Sequence, residues 1–372
     1  MQLPPFETEH FYAQYEFDAP HLLSVSDCES VSIGELLERA GRSPQEFAEL
    51  SLGYTESQGN PRLRQAIAET YQDISADDIL VLATPIEGIY LAMRTLLEPN
   101  DEVIALTPAY DALKTLPDVL ANVKPWVLRA KEGSWALDWE KLNELLSDKT
   151  KLIMVNFPHN PTGFLPTKTE FEKLVNVAQK RDIWLFSDEM YRGLEFGTRP
   201  QLPSACELYE RSVTLSGLSK TYGLPGLRSG WLVVRDAEVK KRILNWKLYT
   251  SICPPAPSEY LAEVALSMGE QLAERNQQIV RDNLALAQGF FGRQPSLTWR
   301  APLAGSTALI GLDVPSAQAY CHALAQNAGI VLLPSSFLGY DDKHVRFGFG
   351  RRSFAAALSA YEAHLKTKSA PL

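Results

Sequence analysis

The chain is poor in the residues that staple or metallate a protein. It has four cysteines and six histidines in 372 residues. Cys28, Cys206, Cys253 and Cys321 stand far apart and form no Cys-x-x-Cys pair. They read as reduced thiols of a cytoplasmic protein, not as a disulfide framework. No His-Glu-x-x-His or similar spacing occurs, so no metal site is expected. No apolar run approaches the ~18 residues of a membrane span. The stretch Met1 to Glu7 lacks a basic region and an apolar core, which predicts no signal peptide. Cationic residues are outnumbered, 36 against 45 acidic ones, for a net charge of −9. That balance speaks against nucleic acid or an anionic membrane as a partner. Internal repeats and low-complexity segments are also missing.

What the chain does have is enough apolar residue, 45%, to bury a large core, and a length too great for one ordinary domain. Short apolar runs alternate with helical stretches through its middle. The runs are Ile79 to Ala83, Val103 to Thr107, Trp126 to Leu128, Leu152 to Phe157, Ile183 to Ser187, Val213 to Ser216 and Trp231 to Val234. Several are apolar throughout instead of alternating, as expected of strands buried on both faces in a mainly parallel sheet. Helical periodicity, for example over Glu170 to Lys180, fills the gaps. The pattern predicts a doubly wound α/β fold. Capping signals place helices at Ile33 to Ala40 after Ser32…Glu35 and from Pro61 after Asn60. Pro254-Pro255-Ala256-Pro257 breaks the pattern, and one long helix is expected over Ser258 to Phe291. Short strands (Ala308 to Leu312, Val345 to Phe349) and helices (Ala317 to Ala328, Phe354 to Leu365) follow. We read residues 1–44 as an N-terminal arm with part of a small domain, 45–253 as a large domain and 254–372 as the rest of the small α/β domain.

Three segments put polar residues just past apolar strands, where open α/β sheets bind ligands. They are Asn156-Phe157-Pro158-His159-Asn160-Pro161-Thr162-Gly163, Ser187-Asp188-Glu189-Met190-Tyr191 and Ser216-Gly217-Leu218-Ser219-Lys220, with Arg228 eight residues beyond the lysine. Singly, each has a structural explanation as a turn, a helix cap or a surface lysine. Together and in this order they resemble the fold-type I pyridoxal-phosphate enzymes of the class I/II aminotransferase family, over nearly the whole chain.

That resemblance implies a seven-stranded sheet and pyridoxal 5'-phosphate as cofactor. It implies that Lys220 condenses with the cofactor aldehyde and later moves the Cα proton. Asp188 would pair with the pyridine nitrogen and keep it protonated. Asn160 and Tyr191 would bond the ring oxygen, and Tyr110 would stack on the ring. Arg228 would grip the phosphate, and Arg346 the substrate α-carboxylate. Tyr54 would reach the phosphate across a dimer interface, which implies a homodimer with shared sites. Thr84-Pro85-Ile86-Glu87-Gly88 opens a helix whose N–H groups at Ile86 and Glu87 suit a phosphate; a capping box of Thr84 with Glu87 is a second reading of the same residues. Position 217 is Gly where many relatives carry a phosphate-contacting Ser, so a hydroxyl would come from Ser216 or Ser219, or be lost.

The arm bears on the substrate. Glu7-Thr8-Glu9-His10-Phe11 and Ser24-Val25-Ser26-Asp27-Cys28-Glu29-Ser30, with Pro85 to Gly88 and Thr221 to Arg228, look like the subgroup acting on arginine derivatives, which includes capreomycidine synthase and enduracididine-forming cyclases. A guanidinium favours planar, bidentate carboxylates, and Glu9 and Asp27, with Ser26 beside them, are the residues expected to supply them. Ser26…Glu29 also has capping-box spacing. The reaction implied is Cα deprotonation of a hydroxyarginine, loss of the hydroxyl and guanidine addition; a hydroxyl on Cγ leads to a five-membered ring. His10 is a possible second acid/base. An ordinary aminotransferase is the alternative, and a cofactor-sensing regulator a remote third, since acidic charge and a short N-terminal segment leave no DNA-binding module before Tyr54.

Overall fold

Seven strands form the central sheet: β1 (Ile79–Leu82), β2 (Glu102–Thr107), β3 (Asn122–Val127), β4 (Thr150–Asn156), β5 (Trp184–Asp188), β6 (Ser212–Gly217) and β7 (Gly230–Val233). The computed structural model describes residues 3–197 and 199–369, so Met1–Gln2 and Ala370–Leu372 at the ends of the two terminal segments lie outside it. The spatial order is β1-β7-β6-β5-β4-β2-β3, and only β7 runs against its neighbours. Each strand matches one of the seven apolar runs in the sequence to within a few residues.

The reason for those unbroken apolar runs lies in the two faces of the sheet. In β4, Ile153 and Val155 turn to one side and pack with Phe171, Leu174 and Ala178 of the helix Lys168–Lys180. Leu152 and Met154 turn to the other and pack with Ile89, Ala92 and Met93 of the helix Pro85–Leu96. Alternate side chains point to opposite faces of a strand, so a sheet covered on both faces needs apolar residues at every position.

A second sheet is antiparallel and four-stranded, from Leu297–Trp299, Thr307–Leu312, His344–Gly348 and Leu333–Pro334. The N-terminal arm lies against it. His21–Leu22 pairs in parallel with Ile330–Val331, and Gly348 donates its N–H to the Leu23 carbonyl at 2.7 Å. The approach is close enough to require glycine: a Cβ on Gly348 would lie 1.7 Å from the Val25 oxygen, and one on Gly350 2.1 Å from the Asp27 oxygen.

Some local expectations change. The single helix expected over Ser258 to Phe291 is two helices, Ala256–Leu266 and Gly269–Phe291. The chain leaves helical geometry at Met268 (φ −129°), and Gly269 sits where a Cβ would meet the Tyr222 ring at 3.2 Å. Ser26…Glu29 starts no helix; the Glu29 carboxylate accepts from the Arg352 N–H at 2.8 Å instead. Ser32 caps the Glu35 N–H, but the Glu35 carboxylate pairs with Arg39 and not with the cap, leaving half a capping box. Asn60 caps Arg62 as expected, at 2.9 Å.

Because the arm's backbone fills the space beside residue 348, Gly348→Ala should overpack this contact and lower stability by about 1–3 kcal/mol. The urea midpoint of the purified variant measures it; an unchanged midpoint would mean that the arm is not seated there.

Candidate active site

Parallel pairing brings the carboxyl ends of three strands level. Asn156 at the end of β4 is in register with Asp188 at the end of β5, and Asp188 with Leu215 of β6, just before the Lys220 segment. Asn156 then organises the loop beyond: its Nδ2 donates to the Asp188 carbonyl at 2.9 Å, and its Oδ1 accepts from the Asn160 N–H at 2.8 Å. Thus the Asn-Pro-Thr-Gly turn is fastened to the strand that carries Asp188.

Asp188 is buried, and one oxygen accepts from the Met190 N–H at 3.1 Å. Burial pushes its pKa up to about 7, against the lowering pull of that N–H and of Lys220. Lys220 Nζ donates to Ser26 Oγ at 3.0 Å. Its pKa is lowered, first by burial and also by the Arg346 charge, while Asp27 and Glu9 oppose that shift. The Tyr191 and Ser219 hydroxyls are both buried and make no hydrogen bond of ordinary geometry among the described residues. Burial raises the Tyr191 pKa above the ordinary phenol range, although Ser26 lies close enough to lower it.

Arg228, in the left-handed region at φ 49°, sends Nη2 to the Thr84 hydroxyl at 2.5 Å and Nη1 to the Pro225 carbonyl at 2.9 Å. Thr84 is the N-cap of Pro85–Leu96, yet its hydroxyl caps no N–H. The Thr84–Glu87 capping box is therefore not formed. Glu87 instead accepts from the Ala83 N–H at 3.0 Å and from the Thr250 hydroxyl at 2.5 Å, and its own N–H goes to the Thr84 carbonyl. Ile86 lies in the first turn of that helix, where an N–H has no intrahelical i−4 acceptor. Position 217 cannot hold a serine without movement: a Cβ there would lie 2.9 Å from the Ser229 oxygen and 3.0 Å from Pro85 Cγ. Of the two nearby serines, Ser219 has a buried hydroxyl with no partner among the described residues.

Arg346 is buried at 2% exposure, not a solvated charge at a strand edge. Nε donates to the Ser24 carbonyl at 3.0 Å, Nη1 to Asn160 Oδ1 at 3.1 Å and Nη2 to the Tyr12 hydroxyl at 2.8 Å. All three partners are neutral, so among the described residues this buried cation has no ion pair.

The arm residues divide. Glu9 is exposed and accepts from the Tyr110 hydroxyl at 2.7 Å. Tyr110 itself packs against Phe6, with ring centroids 5.2 Å apart. Asp27 is not free to take an incoming guanidinium: Arg351 already holds both oxygens, Nε–Oδ1 at 2.9 Å and Nη2–Oδ2 at 2.6 Å. The carboxylate fork expected there exists, but the chain's own arginine fills it. His10 sits on an exposed face of the helix Glu7–Tyr15, with no hydrogen bond from its ring to a site group. Tyr54 is 90% exposed and stays clear of the chain's own site.

Sequence reasoning missed Tyr12, Ser24, Arg351 and Glu16. Glu16 is half-buried, and its pKa is raised by burial and by the neighbouring charges of Asp27 and Glu9. None of these residues belongs to a local motif. Their signal is long-range, as in the pairing of Tyr12 with Arg346, and only folding reveals it.

The Asp188 shift has a signed consequence. Its folded pKa, about 7, lies above the ordinary carboxyl value near ~3.9. The folded chain therefore holds a proton that the unfolded chain releases between those values. The contribution favours folding at low pH and declines as pH rises from about 4 to about 7. Stability of the cofactor-free chain should fall across that window by up to about 1.4 kcal/mol per pH unit from this group. Urea denaturation at stepped pH, compared with Asp188→Asn, isolates it; parallel profiles in the two chains would refute the assignment.

The chain is similar to known proteins over most of its length. Residues 36–363 match the model of the family "Aminotransferase class I and II". Capreomycidine synthase of Streptomyces vinaceus is 29% identical over 98% of this chain and 95% of its own length. A pyridoxal-phosphate-dependent aminotransferase from Streptococcus suis superposes with a TM-score of 0.93 at 29% identity, over 100% of both chains. The pyridoxal-phosphate-dependent cyclase OrfR superposes with a TM-score of 0.88 at 25% identity, over 99% of both. The unpaired Tyr191 and Ser219 hydroxyls, the buried Asp188 carboxyl and the Arg228–Thr84 contact suit a cofactor with a ring oxygen, a ring nitrogen and a phosphate. With that fit, and with a family model spanning most of its length, the chain belongs to the class I and II aminotransferases and is a pyridoxal-phosphate-dependent enzyme of that fold.

Proposed function

We propose that the enzyme acts on a free, cationic α-amino acid, a hydroxylated L-arginine, and converts it to a cyclic guanidino amino acid with net loss of one water. The carrying observation is a buried arginine, Arg346, whose three hydrogen-bond partners are all neutral, and an arm carboxylate, Glu9, that accepts from the Tyr110 hydroxyl, both of which act on Lys220, while Asp27 is held by Arg351. That is an anion site and a cation site flanking one amine.

When bound, pyridoxal phosphate supplies an electron sink for charge developing at the substrate Cα. On our reading Asp188 would pair with its pyridine nitrogen, where a shared proton would relieve the cost of the buried carboxylate. Asn160 and Tyr191 would bond its ring oxygen, and Tyr110 would stack on its ring. Arg228, Ser219 and the Ile86 backbone N–H would serve the phosphate; the Glu87 N–H, expected to join them, is turned to the Thr84 carbonyl at 3.1 Å instead. Lys220, with a lowered pKa, is neutral often enough to take the Cα proton.

Arg346 binds the α-carboxylate. A guanidinium has five N–H groups, and three are occupied. The two that remain are one on each terminal nitrogen, which is what a bidentate carboxylate accepts. Glu9 receives the distal guanidinium through the oxygen not bonded to Tyr110, with Glu16 beside it. Asp27 contributes charge and orients Arg351. Ser26, which meets Lys220 Nζ at 3.0 Å, sits beside the substrate's reacting carbons.

The site is completed by a second copy of the chain. Leu52 (81% exposed), Tyr54 and Tyr249 (82%) are large and almost wholly exposed. The Thr55 hydroxyl ties the Tyr54 loop to the Pro254 carbonyl at 3.0 Å. Buried in a homodimer, this surface would deliver Tyr54 to the partner's phosphate.

The enzyme is tested with L-arginine and its β- and γ-hydroxy derivatives in deuterated water, read by mass spectrometry. Loss of one water with deuterium at Cα or Cβ is the expected result. A keto acid formed only with an added amino acceptor would instead establish an ordinary aminotransferase. Glu9→Gln should raise KM for the cationic substrate about fivefold, as for an exposed ion pair worth up to about 1 kcal/mol. An unchanged KM removes Glu9 from recognition.

A further inference from the structure

Arg346 is held in a closed hydrogen-bond ring whose other members all come from the N-terminal arm. Its Nε donates to the Ser24 carbonyl at 3.0 Å and its Nη2 to the Tyr12 hydroxyl at 2.8 Å. The Tyr12 hydroxyl donates in turn to the same Ser24 carbonyl at 2.9 Å, with Ser24 Oγ also within 3.0 Å. One carbonyl oxygen thus serves both donors, as its two lone pairs allow. Tyr12 is 8% exposed and Ser24 is fully buried, so neither group is mobile in water.

We propose that Tyr12 is a positioning residue for the substrate carboxylate, acting through Arg346; the proposal rests on Arg346 being the carboxylate site. Nε and Nη2 lie on the same edge of a guanidinium. Ser24 and Tyr12 fill that edge, so a carboxylate cannot bind there side-on. It must bind at the end of the fork, through one N–H on each terminal nitrogen. The phenol also fixes the plane of the fork: its O–H points to Ser24, which turns its lone pairs toward Arg346. Removing the hydroxyl leaves a buried N–H without a partner and opens the side-on edge to the ligand. The carboxylate then gains a second pose, and the amino group beside it is no longer carried to one place.

The Phe side chain keeps the ring and its packing, so Tyr12→Phe is the variant of choice. In holoenzyme, binding is followed by the change in cofactor absorbance on titration with L-arginine and with agmatine, which lacks the carboxylate. L-lysine and cadaverine form a second pair that needs no guanidinium recognition. The expected result is a fall of about tenfold in affinity for each amino acid, with the amines unchanged. That factor corresponds to about 1.4 kcal/mol. Ser24→Ala, which removes only the side-chain oxygen near the phenol, should move the same ratio less and covers the case of a poorly folding Tyr12 variant. Equal losses for acid and amine, or no loss, overturn the proposal. Arg346→Lys separates the two ideas: if it leaves the acid-to-amine ratio intact, the carboxylate site itself is misassigned. If it collapses the ratio while Tyr12→Phe does not, only the role of Tyr12 fails.

Discussion

A carboxyl group buried at the end of β5 is the constraint around which the site is built. Asp188 has one N–H partner on its carboxylate and little water, so it binds a proton up to about pH 7. A buried charge of this kind is tolerated when a cation or a shared proton meets it. Every neighbouring feature serves that end. The register of β4 and β5 levels Asn156 with Asp188, and Asn156 then fastens the loop that carries Asn160. The Lys220 segment leaves β6 on the next strand, so its amine arrives on the same edge. A one-residue slip in this register would turn Asp188 to the opposite face of the sheet.

The sheet supplies the cofactor end of the site, and the arm supplies the rest. Residues 7–28 reach Lys220 through Ser26, Arg346 through Tyr12 and Ser24, Tyr110 through Glu9 and Arg351 through Asp27. Most of these are side-chain contacts between groups more than 100 residues apart in sequence. They depend on the backbone seam at Gly348 and Gly350, which holds Val25 and Asp27 at a fixed depth. On our proposal the chemistry that the family shares is attached to the sheet, and selectivity to an arm that packs as a unit.

This division also explains what could be read before folding. The seven strands were legible because a sheet covered on both faces demands apolar residues at every position, as in Leu152 to Val155. Lys220, Asp188 and Asn160 were legible because each follows a strand in a short motif whose local geometry is set by its neighbours. Arg346 is singled out by the resemblance alone, and its burial has no sign in the sequence. The fate of Asp27 was out of reach. A carboxylate in an arm gives no sign that an arginine 324 residues later will occupy both its oxygens. The break at Met268 escapes for a related reason: the helical periodicity runs on, while Tyr222, distant in sequence, lies against Gly269 just beyond the break.

The Asp27–Arg351 pair bears on which substrates the arm can accept. With Arg351 satisfied by Asp27, the carboxylates left at the mouth are Glu9 and Glu16. Burial is the larger cause of the raised Glu16 pKa, and the charges of Asp27 and Glu9 add to it, with Arg351 and Lys220 opposing. Like charges thus meet in the arm, with its own cations opposing them. A guest with a distal cation lowers their repulsion on entering. A guest with a distal carboxylate, such as aspartate, raises it, and like-charge contacts of this sort discriminate between ligands as effectively as attractive ones. On our proposal the arm selects against aspartate-type substrates by repulsion as well as for cationic ones by attraction. On our reading the same sheet-borne cofactor chemistry is directed to arginine derivatives chiefly by what the arm refuses.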